Sequence, residues 1–123
     1  MDSISDISKG IEEGEMNKYN ATKTTIDGIT FDSQREANRY CELKLLERAK
    51  EINGLQRQVS FTLIPPYTIN GRKVRKMEYI ADFTYFEKDG RFVVEDVKGF
   101  RTDVYKLKKK LFEYKYVLEI REV

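Results

Sequence analysis

The sequence has no histidine, one cysteine and two prolines in 123 residues. Without histidine there is no imidazole general base, no Ser-His-Asp triad and no His-metal nuclease centre. A lone Cys41 allows no internal disulfide and no zinc finger, and it fits a reducing, cytoplasmic compartment. No apolar run is long enough to cross a bilayer, so no membrane partner is expected, and the polar, acidic first fifteen residues do not read as a signal peptide. An excess of either charge is missing too. Lys and Arg number 23 against 21 Asp and Glu, a net of +2, so the partner cannot be read from net charge. Any hydrolytic chemistry must then rest on Asp, Glu, Lys and a hard metal ion.

The length suits one domain with a modest core. Residues 1–17 are rich in Ser, Gly, Asp and Glu and read as a flexible tail, leaving 18–123 as a single domain. The run TTIDGITF reads as a small hairpin turning at Asp27-Gly28. Ser33 with Glu36 three residues later is a capping box, and it opens a helix. Ala37, Tyr40, Cys41, Leu45, Leu46, Ala49 and Ile52 form its apolar stripe, and Asn53-Gly54 is expected to end it. Residues 55–64 read as a strand with Leu55, Arg57, Val59, Phe61 and Leu63 on one face. Pro65-Pro66 ends that strand, Asn70-Gly71 is a turn, and Arg72, Lys73, Arg75 and Lys76 follow as a basic approach to the next element.

That element, residues 79–98, reads as two strands about Lys88-Asp89-Gly90. A three-residue loop with Gly in the left-handed position pairs Glu87 with Arg91 and, by the same count, Asp82 with Asp96. Directly opposite residues have Cβ atoms roughly 4.5–5.5 Å apart, and like charges so placed destabilise a sheet. A cation between the two carboxylates would remove that penalty, and oxygen ligands with room for water suit Mg²⁺. Asp96 and Lys98 share one strand face and Glu95 points away. After Gly99, Thr102 or Asp103 caps a second helix with Val104, Leu107, Leu111 and Tyr114 as its expected buried stripe. Residues 116–123 read as a last strand, and the strand-helix-strand spacing implies a parallel crossover. The expected fold is α/β or α+β, with a mixed sheet flanked by helices and the order α-β-β-β-α-β after the hairpin.

The order helix-Glu36, strand-Asp82 in YIADF, strand-Asp96-Val97-Lys98, basic helix, strand resembles the core of the PD-(D/E)XK nuclease superfamily. More narrowly, FDSQREANRY, YIADF, EDVKGFRT and YKLKKKLFE are similar to a family of small phage and prophage nuclease-like proteins, some of which resolve Holliday junctions. Ala81 stands where the superfamily often has Pro. The resemblance implies a restriction-endonuclease-like core and a Mg²⁺-dependent DNA endonuclease, with Mn²⁺ able to substitute. It implies metal binding by Asp82, Asp96 and the Val97 carbonyl, with Lys98 beside the attacking water and Glu36 as a further ligand. Arg101, Lys106 and Lys109 would contact phosphates, and junction resolution would need a homodimer. If the chain is phage-encoded, the compartment is the host's cytoplasm.

Plainer readings stand beside these. Glu36 can simply complete the capping box. Asp96 and Lys98 can be a surface ion pair worth about 0–1 kcal/mol. Lys108-Lys109-Lys110 can be a solvated helix face, Cys41 a core residue, and Tyr105, Tyr114 and Tyr116 packing groups. A non-catalytic nucleic-acid-binding protein that keeps the fold is the alternative function.

Overall fold

Asp27 and Gly28 both take left-handed backbone angles, φ 54° and 76°, as a two-residue type I′ turn requires. They join β1 (Thr24–Ile26) to β2 (Ile29–Phe31) in an antiparallel hairpin, as the sequence implied. The structure, a computed structural model, describes residues 23–97 and 101–123; the expected tail and Lys98 lie outside the described residues. Cα packing divides the chain into two units, residues 1–45 and 46–123.

In the first unit, Phe31 is buried and its ring lies 5.1 Å from that of Tyr40. Ser33 caps helix α1 (Gln34–Arg48) by accepting from the Glu36 backbone N–H at 3.1 Å, so half of the capping box forms as expected. Ala37, Tyr40 and Leu43 are the buried residues of α1. Cys41 is exposed, contrary to the core position expected for it. The buried row steps from Tyr40 to Leu43, and Leu45 and Leu46, also expected in the stripe, are exposed.

The helix ends earlier than Asn53-Gly54. Lys50 adopts φ 64°, its N–H bonds the Glu47 carbonyl, and the Glu51 N–H bonds that of Leu46. This is a Schellman close with a lysine in the position usually held by glycine. Ile52 therefore starts β3 (Ile52–Ile64) rather than closing the helix stripe.

The fold is α+β. A four-stranded mixed sheet in the order β3-β6-β7-β8 holds β6 (Met77–Glu87), β7 (Phe92–Asp96) and β8 (Ile120–Glu122), with β7 and β8 parallel and the other pairs antiparallel. Helix α2 (Asp103–Tyr116) connects β7 to β8, and a second small hairpin, β4 (Tyr67–Ile69) with β5 (Arg72–Val74), stands between β3 and β6. Thr102 is the N-cap of α2, accepting from the Tyr105 N–H at 3.0 Å. The core under α2 joins Leu63, Tyr79, Ala81, Val94, Tyr105, Phe112 and Ile120.

The stripe of α2 is rotated from its expected position. Tyr105 and Phe112 are buried, whereas Val104, Leu107 and Tyr114 are exposed and Leu111 is half-buried. Aromatic rings explain the difference. Phe112 lies 5.1 Å from Phe61 and 5.4 Å from Tyr79, so the helix turns its largest planar groups to the sheet and leaves the aliphatic row outside. No described helix is long and apolar enough to cross a membrane.

Candidate active site

The site begins with a turn. Gly90 has φ 93°, its N–H donates to the Glu87 carbonyl, and the Glu87 N–H donates to Arg91. The three-residue loop is therefore the one expected, and β6 pairs with β7 as Phe86↔Phe92, Tyr85↔Val93, Thr84↔Val94 and Phe83↔Glu95. One step further the same count sets Asp82 level with Asp96. The ladder stops there, because the Val97 N–H donates to Asp82 Oδ2 at 2.8 Å. A side-chain carboxylate thus takes a bond from the end of β7, where the next ladder partner would be a main-chain carbonyl.

Asp82 also marks a change in the sheet itself. Tyr79 and Ala81 lie in the core under α2 together with Val94, yet Val94 pairs with Thr84. Side chains alternate with period two along a strand, so β6 must change phase between Ala81 and Thr84. Its partner changes at the same level. Val59 pairs with Ala81 and Arg57 with Phe83, and between them Gln58 adopts φ 50°. Gln58 Nε2 lies 3.4 Å from Asp82 Oδ1. A left-handed residue inside a strand re-aims its neighbours as a bulge does. The expected single face from Leu55 to Leu63 is accordingly broken at Gln58, with Arg57 on the other side from Phe61. The strand on either side of Asp82 is partly open: Ile80 and Phe86 are exposed, and Thr84 is buried.

Asp96 is buried at 2% exposure, and its Oδ2 accepts from the Tyr79 hydroxyl. Burial, the bond to Asp96 and the charges of Asp96 and Asp82 all push the Tyr79 phenol far above its usual range. Both carboxylates are therefore felt at one hydroxyl. Beside them Glu122, which pairs with Asp96 in the parallel register, gathers four donors. Arg101 Nη2 lies 2.6 Å from it, Arg101 Nε 2.9 Å, the Tyr105 hydroxyl 2.7 Å and Lys109 Nζ 3.2 Å. The Arg101 guanidinium, then the Tyr105 hydroxyl and Lys109, hold the Glu122 carboxyl down at about 2. Burial and the bond to Glu122 raise the Tyr105 phenol.

The structure thus brings Asp82, Asp96 and the Val97 main chain together, and it ties Arg101 and Lys109 to Glu122. Lys106 is exposed on α2. Glu36 belongs to the first unit, at the third position of α1, and is half-buried. Among the described residues, no group of three or more His, Cys, Asp or Glu side chains could hold a metal ion. Sequence reasoning missed Tyr79 and Glu122, and it gave Tyr105 packing alone. Only their strand and helix spacing to the acids could have pointed to them.

A family model described as a protein of unknown function, DUF1064, matches residues 16–122. The chain belongs to the DUF1064 family. The match runs from before the first hairpin into β8, so Asp82, Asp96 and Glu122 all lie within the DUF1064 region. Searches of curated proteins and of solved structures gave no match.

Proposed function

We propose that the protein is a Mg²⁺-dependent DNA endonuclease, selective for branched DNA such as four-way junctions. The observation that carries this reading is that Asp82 accepts from the Val97 N–H where β6 and β7 part, next in the chain to the buried Asp96, whose Oδ2 accepts from the Tyr79 hydroxyl.

The donors there are all oxygen: two carboxylates and the Val97 carbonyl. Such a set fits a hard cation that keeps several waters, and Mn²⁺ would substitute for Mg²⁺. When bound, the cation supplies positive charge beside the scissile phosphate and makes water more acidic. The chain's own groups do the rest. Asp82 and Asp96 are the ligands, and Tyr79 fixes the orientation of Asp96. Lys98 orients the attacking water or helps take its proton. Glu36 serves the start of α1, where its N–H donates to the Ser33 cap. Lys106 contacts phosphate directly, while Arg101 and Lys109 reach phosphate by exchanging Glu122 for it. Such contacts position a substrate without reading its sequence. Two incisions at a junction need two active sites, so the working form is a homodimer. The compartment that goes with this reading is the cytoplasm, that of a bacterial host if the gene is phage-borne.

The test is cleavage of labelled four-way junction, flap, linear duplex and single-stranded DNA with Mg²⁺, Mn²⁺ or EDTA, beside Asp96→Ala. The expected result is paired, symmetric nicks at the junction that need metal and vanish in the variant. Cleavage of flaps or duplex instead would keep the nuclease and discard the junction. DNA binding without cleavage of any substrate would leave a non-catalytic binding protein as the better reading.

A further inference from the structure

Strands β4 and β5 are the far end of the β3–β6 ribbon. Ile64 pairs with Met77, and three residues on, in the same register, Tyr67 pairs with Val74. The register shifts between Thr62 and Ile64, the ladder then lapses at Pro65-Pro66, whose nitrogens have no proton to donate, and Asn70 and Gly71 close the tip with φ 50° and 74°. Below the prolines the ribbon carries the buried residues Leu63, Tyr79 and Ala81. Above them every residue from 65 to 76 is exposed except the half-buried Val74, and among the described residues the two strands pair only with each other.

The charge of this arm has one sign. Residues 64–77 hold Arg72, Lys73, Arg75 and Lys76 and no acid. The chain nets +2, so these four cations leave −2 for everything else. Lys76 lies 3.4 Å from Glu78. Among the described residues, Arg72, Lys73 and Arg75 have no acidic partner. A two-stranded hairpin without a core is marginal by itself, and mutual repulsion makes it more so. Charge of either sign would blunt a strand edge against aggregation; a uniformly positive arm needs a further reason. Tyr67 and Ile69 add exposed apolar surface, 50% and 46% accessible, on the same face as Arg72.

We propose that this arm, residues 65–76, binds the phosphodiester backbone of nucleic acid, with Arg72, Lys73 and Arg75 on phosphates and Tyr67 against sugar or base. The proposal deepens the nuclease reading by giving its substrate a second, sequence-independent grip away from Asp82 and Asp96. The strand rise of about 3.3 Å per residue sets the arm's root at Met77 roughly 17 Å from Asp82, and its tip at most about 37 Å away. With about 3.4 Å per base pair, that is a duplex contact roughly 5–11 base pairs from the cut.

The test uses the full chain in EDTA, where binding is separate from cleavage. Fluorescence anisotropy would follow binding to labelled duplex and four-way junction across a salt series, for the native protein and for Arg72→Gln/Lys73→Gln/Arg75→Gln. Three lost phosphate contacts lower the slope of log K against log salt by about 2–3. The melting temperature stays unchanged because the side chains are exposed, and Arg72→Lys/Arg75→Lys retains the native slope. Asp96→Asn also retains it, so loss of cleavage in Mg²⁺ and loss of arm binding are distinct results. A native slope in the triple variant overturns the proposal. So does absence of DNA binding by the native protein, or arm-dependent binding to phosphatidylserine vesicles in place of DNA.

Discussion

Glu95 and Asp96 are adjacent on β7, both are buried, and each accepts a hydrogen bond from a tyrosine of β6: Tyr85 to Glu95 at 2.6 Å, and Tyr79 to Asp96. They differ in the face they occupy. On the Glu95 side Arg121 reaches the Tyr85 hydroxyl at 3.3 Å and Glu87 at 3.0 Å, so acid, phenol and guanidinium lie together. On the Asp96 side the neighbours are Asp82 and Glu122, and there the cations Arg101 and Lys109 bind Glu122. A buried carboxylate near an opposite charge is a structural device. Asp82 and Asp96 stand where β6 and β7 part, and it is there that the proposed function puts a metal ion. The difference teaches that burial and a tyrosine bond do not tell the two acids apart; their company does.

Exchanging the two acids one at a time is the strongest way to break this comparison. Asp96→Asn is expected to lower Mg²⁺-dependent cleavage by about 10²–10³-fold or more, with thermal unfolding little changed. Glu95→Gln is expected to leave cleavage by the folded protein intact and to lower stability by about 1–3 kcal/mol, since a buried acceptor set is altered. Equal loss of cleavage in both variants would erase the distinction.

The tyrosines come next. Tyr79→Phe removes the bond that orients Asp96; on the proposed function Asp96 is a metal ligand, and loss of a ligand's outer partner typically changes metal affinity by about 10–100-fold. The half-saturating Mg²⁺ concentration should rise by that order while the rate at saturating Mg²⁺ changes less. Tyr85→Phe, the matching change on the other face, should leave the Mg²⁺ requirement alone and show only in the melting curve. A Mg²⁺ titration of both variants decides this.

How much of this could be read from the chain varies from residue to residue. Lys88-Asp89-Gly90 sets the hairpin register through one glycine's left-handed angle, so the levels of Asp82 and Asp96 follow from a local signal. The same is true of Asp27-Gly28, Asn70-Gly71 and Ser33. The end of α1 was not legible, because Lys50 takes the angle that glycine signals, and a lysine carries no such mark. The stripe of α2 was misread because Val104, Leu107, Leu111 and Tyr114 and the row through Tyr105 and Phe112 both repeat at helical spacing; only packing against Phe61 and Tyr79 chooses between them. The phase change at Gln58 and Asp82 has no sequence signal at all.

That phase change gives a smaller test. A non-glycine residue in the left-handed region costs about 1–2 kcal/mol, which glycine avoids. Gln58→Gly should therefore raise stability by up to about 1 kcal/mol in chemical denaturation, whereas Gln56→Gly, on the same strand without a positive φ, should lower it. If both variants lose stability equally, the left-handed turn at Gln58 is not what switches the faces.

The smallest effect concerns Glu122, on the same face as Asp96. Its carboxyl is held at about 2 in the folded protein against an ordinary 4.5, chiefly by the Arg101 guanidinium. With a lowered folded value, the unfolded chain binds the proton first as pH falls. The stabilisation is therefore full above about 4.5 and is lost between 4.5 and about 2. Melting temperatures should fall across that window, and Glu122→Gln should flatten that part of the curve. The same variant releases Arg101 and Lys109 at neutral pH. If these cations serve the substrate, DNA binding in EDTA should tighten and its salt dependence steepen. If they serve only to seat α2 on β8, stability falls and binding does not move.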